Sequence, residues 1–73
     1  MPLVEIKVFE DELSDQETRA LIAGVTDSII SVSGEALRPH TWVIVNQVRS
    51  GNWGIGGDAL GLKDVRALQG RED

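Results

Sequence analysis

The sequence predicts an α+β subunit in the β-α-β order, with two parallel strands and a glycine-rich C-terminal segment. Three observations predict it. Residues 2–9, Pro-Leu-Val-Glu-Ile-Lys-Val-Phe, place Val4, Ile6 and Val8 on one face and Leu3, Glu5, Lys7 and Phe9 on the other, the period of two that marks a strand. Leu21, Ile22, Val25, Ile29 and Val32 recur at helical spacing and form one apolar stripe. Residues 41–48, Thr-Trp-Val-Ile-Val-Asn-Gln-Val, are again rich in β-branched and aromatic side chains. A helix between two strands is a crossover, which makes the strands parallel and the connection right-handed.

The elements follow in order. Pro2 can open the first strand, because a strand's first residue can lack an N–H. Residues 10–13 are a polar connection. Ser14 reads as an N-cap, with Glu17 three positions later completing a capping box. Asp15 and Glu17 suit the positive end of the helix dipole. The helix runs from about Asp15 to Val32 and stops at Gly34. Residues 35–40 are a loop in which Pro39 pushes Arg38 out of helical conformation. After the second strand, Arg49-Ser50-Gly51-Asn52 is turn-like, and Trp53-Gly54-Ile55-Gly56-Gly57 is too glycine-rich for a regular helix. The charged residues that follow end in a tail, 66–73, expected to fray. There is no repeat, and residues 1–73 form one domain.

The chain has 73 residues, and a lone domain of that size buries only about 60 % of its unfolded surface. It has no cysteine and a single histidine, His40. That excludes a disulfide framework and argues against a zinc site within one chain. Association with other copies is the remaining common way to stabilise so small a core. A two-stranded sheet with one helix also cannot hide its own edges. The open edges and the outer sheet face are therefore expected to meet other copies.

The net charge is −5, from 12 acidic and 7 basic residues. Nucleic-acid affinity comes mostly from neutralising phosphates, so this balance excludes nucleic acid as a partner. The longest apolar runs, such as Val43-Ile44-Val45, fall far short of the roughly 20 residues a spanning helix needs. The N-terminus lacks the basic region and apolar run of a signal peptide. A cytoplasmic protein that does not engage membranes is the default reading.

Few motifs carry chemistry. Gly54-Ile55-Gly56-Gly57-Asp58-Ala59 matches a dinucleotide-binding pattern on paper. That pattern belongs early in a βαβ unit, with an acidic residue about 20 positions later, and the chain ends before such a unit could form. The glycines then serve tight turns, and no cofactor is expected. His40 precedes a strand and reads as a surface residue more readily than as a catalytic one. Arg38 and Arg49 flank the second strand, where either could bind an anionic substrate.

Pro2 has two readings. One is a strand starter. In the other, Met1 is removed, as methionine before a small residue routinely is, and Pro2 becomes a secondary amine. An α-amino group titrates at about 7.7–8.0. Burial in an apolar pocket disfavours the charged form, leaving a neutral amine that can act as a general base near pH 7.

A Pro2-led strand, an amphipathic helix after a short acidic loop, a second strand and then Gly51-Asn52-Trp53-Gly54-Ile55-Gly56-Gly57 resemble the 4-oxalocrotonate tautomerase family. The similarity runs from Pro2 to about Asp58, with Trp53 where the family usually has phenylalanine. The resemblance implies subunits that pair into a dimer with a four-stranded sheet, and three dimers that form a homo-hexamer. It implies that Pro2 is the general base. Pro2 would move a proton from the 2-hydroxyl of a dienol acid, such as 2-hydroxymuconate, to a carbon further along the conjugated chain. That is a step of aromatic-compound degradation. Trp53 would line the pocket and help to keep the amine neutral.

The sequence departs from the family at two arginines that bind substrate. The one just after the first strand is replaced by Glu12 or Leu13, and the one early in the second strand by Trp42. Arg–carboxylate pairs are among the strongest contacts available to a dianion, so their loss bears on the substrate. Trp42, Trp53 and Phe9 would give a more apolar pocket, with Arg38 or Arg49 as substitute cations. Three readings follow. The first is an isomerase acting through Pro2 on a 2-hydroxydienoate or related unsaturated carbonyl compound, with hydratase or dehalogenase variants inside it. The second is one subunit of a mixed hexamer whose partner supplies the arginines. The third is a non-catalytic oligomer that keeps the fold.

Overall fold

The computed structural model describes residues 1–70. Strand β1 (Leu3–Phe9) leads through the acidic loop into helix α1 (Asp15–Ser33). A 3-10 helix over Glu35–His40 then delivers the chain to β2 (Trp42–Val48). The two strands pair in parallel, in register from Leu3 opposite Trp42 to Phe9 opposite Val48. The β-α-β unit expected from the hydrophobic pattern is therefore present.

The ends of α1 are set by local chemistry. The Glu17 N–H donates to Ser14 Oγ (3.1 Å), and the Ser14 N–H donates to Glu17 Oε1 (2.9 Å). At the other end Gly34 takes φ +100°, a conformation costly for any residue with a Cβ, and its N–H donates to Ile30 O (2.9 Å). The apolar stripe differs from the spacing argument at its last member. Val32 is 88 % exposed, whereas Ile30 is 6 % exposed. Gly34 turns the chain into the 3-10 helix, which packs against α1, and Val32 stays outside that contact. The 35–40 segment was expected as a loop. Its carbonyls instead close short turns, with the Leu37 N–H on Gly34 O (3.1 Å) and the Thr41 N–H on Arg38 O (3.3 Å).

The segment after β2 is more ordered than the glycine count implies. Strands β3 (Trp53–Ile55) and β4 (Asp58–Leu60) form an antiparallel hairpin. Gly56 and Gly57 both have positive φ (58° and 89°), as a two-residue hairpin turn of the primed type requires. Helix α2 (Leu62–Leu68) follows. Its start is fixed by Asp64 Oδ2, which accepts from the Gly61 N–H (2.8 Å). Of the tail expected to fray, residues 66–68 belong to α2 and 71–73 lie outside the described residues.

Strand alternation divides the sheet into two faces. Val4, Ile6 and Val8 are half-buried, and Leu3, Glu5 and Lys7 are exposed. Helix α1 packs on β2. Neighbours in register share a face, so Leu3 with Trp42 and Glu5 with Ile44 line the opposite side. Leu3 is 57 % and Trp42 62 % exposed. Phe9 and Ile30 are the only buried apolar residues among those described, and neither is fully buried. The radius of gyration is 14.9 Å, against roughly 11 Å for a compact domain of this length. The chain is elongated, 42 × 24 × 17 Å. Among the described residues, no helix is long and apolar enough to cross a membrane.

Candidate functional site

Pro2 sits at the leading end of β1 and is half-buried. Its carbonyl accepts from the Trp42 N–H (3.0 Å), which ties the N-terminus to the start of β2. A shallow cavity of about 170 Å³ opens there, lined by Met1, Pro2, Leu3, His40 and Trp42. The register explains this gathering. Leu3 lies opposite Trp42, and the 3-10 helix that ends at His40 delivers the chain to Trp42 two positions later. Two residues singled out from the sequence, Pro2 and Trp42, therefore meet. His40, which reads from sequence as a surface residue, joins them. It is exposed, and it also lines the cavity.

Phe9 and Trp53 meet elsewhere. Their rings lie 4.9 Å apart between centroids, at 32°. Phe9 closes the same strand that Pro2 leads into, seven positions later, and strand residues advance about 3.3 Å each. The aromatic pair therefore stands on the order of 23 Å from Pro2. The residues singled out from the sequence therefore gather in two separate places, one at each end of the sheet.

The aromatic end is bordered by the acidic loop. Glu12 Oε1 accepts from the Phe9 N–H (3.0 Å). The backbone carbonyls of Asp11 and Glu12 accept from Arg66 Nη2 (3.1 and 3.0 Å), and this joins α2 to the loop. Asp11 has φ +66°, which bends the loop toward that guanidinium.

Arg38 does not line the cavity at Pro2. Its Nε donates to Glu35 Oε1 (2.7 Å) and its Nη1 to Asp27 Oδ1 (2.8 Å). Hydrogen bonding from Arg38 holds the Glu35 carboxyl below its usual range, and the two carboxylates in turn raise the guanidinium's pKa. Arg49 lies in the turn after β2. Among the described residues, no group of three or more His, Cys, Asp or Glu side chains could hold a metal ion.

A family model described as "Tautomerase enzyme" matches residues 2–63. The chain belongs to the tautomerase family. A probable tautomerase of Dickeya dadantii is 38 % identical to it over 61 residues, spanning 82 % of this chain and 88 % of that one. Among solved structures, a 4-oxalocrotonate tautomerase isozyme from Methylibium petroleiphilum superposes with a TM-score of 0.71 at 31 % identity, covering 80 % of this tautomerase and 90 % of the other. TomN, a 4-oxalocrotonate tautomerase homologue from the tomaymycin biosynthetic pathway, reaches 0.72 at 27 % identity, covering 90 % and 95 %. The β-α-β arrangement of this tautomerase, with its parallel strands, is the fold of these relatives, and family membership supports a tautomerase or isomerase activity.

Proposed function

We propose that this tautomerase-family chain, once Met1 is removed, uses the Pro2 amine as the general base of a keto–enol proton transfer. Its substrate is a 2-hydroxydienoate or a related unsaturated carbonyl compound. The observation that carries this reading is the placement of Pro2 on a cavity whose other lining residues, His40 apart, are apolar. Apolar surroundings disfavour an ammonium, and a neutral amine can accept a proton near neutral pH. The Pro2 nitrogen takes the proton from the 2-hydroxyl, and the electron pair delocalises into the conjugated chain. The protonated amine then returns that proton to a carbon further along, so nothing is gained or lost.

The site is completed by a second copy of the chain, which brings its Phe9 and Trp53 to Pro2. Two features support such assembly. Leu3 and Trp42 are left open on the uncovered sheet face, and few apolar residues are buried. Self-association into a dimer, and of dimers into a hexamer, would cover that face. A mixed hexamer is the second reading. It is favoured by Glu35 and Asp27, which already occupy Arg38, and by the absence of an arginine just after the first strand, where Glu12 or Leu13 stands in its place.

The test is an assay of methionine-free protein on phenylenolpyruvate and 2-hydroxymuconate, with Pro2→Ala as control. Turnover that falls at least about a hundredfold in Pro2→Ala, the scale of a lost general base, supports the amine base. Equal turnover in both proteins overturns it. Activity only after mixing with a similar chain that carries the arginines favours the mixed assembly.

A further inference from the structure

We infer that His40 contacts the substrate at the Pro2 site, its imidazole N–H donating to the substrate's carboxylate, and that it tunes this tautomerase toward monocarboxylates. The inference rests on the reading of Pro2 as the base. Of the five residues lining the cavity, Met1 and Leu3 are apolar and Pro2 contributes only its ring and its amine. Two side-chain hydrogen-bond donors remain, the indole N–H of the largely apolar Trp42 and the imidazole of His40, and only the imidazole can carry a full positive charge to meet an anion. An anion brought against apolar walls needs such a donor, because an unpaired polar group removed from water is costly.

The chain holds His40 in place on both sides. Behind it, the Thr41 hydroxyl donates to Leu37 O (2.8 Å) and the Thr41 N–H to Arg38 O (3.3 Å), closing the 3-10 helix. Ahead of it, the Trp42 N–H is bonded to the carbonyl of Pro2 itself (3.0 Å). His40 is thus carried on backbone fixed to the residue it would assist. Removal of Met1, itself a lining residue, widens the cavity on the side where the amine is freed. The cation nearest in sequence, Arg38, is committed to Asp27 and Glu35. One imidazole donor in place of two guanidinium forks suits one carboxylate, not two.

The experiment compares methionine-free wild type, His40→Ala, His40→Gln and Pro2→Ala on phenylenolpyruvate and on its methyl ester. His40→Ala should raise KM for the acid about tenfold, the worth of one charge-assisted hydrogen bond, with kcat little changed and the ester unaffected. His40→Gln, which keeps a donor, should recover most of the loss. The same order should hold for the binding of cinnamate against cinnamamide, read from tryptophan fluorescence without turnover. An unchanged KM in His40→Ala, or equal losses on acid and ester, would overturn the role of His40 while leaving Pro2 as the base. Turnover that survives Pro2→Ala would overturn the base reading and this inference together.

Discussion

Phe9 is 4 % exposed at the end of a strand whose other outward positions, Leu3, Glu5 and Lys7, all meet solvent. The alternation in the sequence puts Phe9 on their face, and it is there. What covers it is not local: Trp53 arrives from the hairpin after β2 and lays its ring against Phe9. Period-two patterning shows which way a side chain points, but it cannot show what folds over it. His40 makes the same case in the other direction. Its place beside Pro2 depends on Leu3 pairing with Trp42, a register that neither strand's own sequence encodes. By contrast, Pro2 and Trp53 can be singled out from the sequence alone, because a proline directly after the initiator methionine and a glycine-flanked aromatic are distinctive as letters. Phe9→Ala removes the best-buried ring in the chain and its partner's stacking surface. It should cost about 3 kcal/mol, the lower end for a truncated core phenylalanine, read as a fall in the urea midpoint at unchanged slope.

At the scale of elements, legibility follows how local each signal is. Helix α1 announces itself through Ser14 and Glu17, which satisfy each other's backbone N–H groups, and through Gly34, which ends it. The helix therefore spans nearly the limits that its caps and stripe dictate. The hairpin was not legible as strands. Each arm has only three residues, and β3 contains a glycine, so neither shows a usable period. Its turn is where the information lies, since consecutive glycines permit positive φ at both central positions. Helix α2 is held by contacts distant in sequence. Its first turn takes a bond from Ser50, whose Oγ accepts the Leu62 N–H (3.0 Å), and Arg66 reaches back to the acidic loop. The predicted cap is the simplest element to test. Ser14→Ala should lower stability by about 1 kcal/mol, measured by thermal unfolding, and should leave the rest of the far-ultraviolet spectrum intact.

The whole molecule is 42 Å long and only 17 Å across its thinnest direction. A chain that spreads this far buries little of itself, and its apolar residues at Leu3, Trp42 and Ile55 remain outside. The sequence indicates this much through its size and its two unprotected strands. The distance from Pro2 to Phe9 is set by the strand they share, but the sequence does not indicate that Trp53 joins Phe9 at the far end, because that follows from where the hairpin docks. The separation has a genetic consequence. If the base of one subunit works against the aromatic wall of another, a lesion in either half is confined to that half. Chains carrying Pro2→Ala and chains carrying Trp53→Ala would each be inactive alone. Unfolded together and refolded as a mixture, they should regain about a quarter of the wild-type sites, since half of randomly formed pairs are mixed and each mixed pair rebuilds one of its two sites. Recovered activity in the mixture, against none in either parent refolded alone, would show that two defective copies can complement each other.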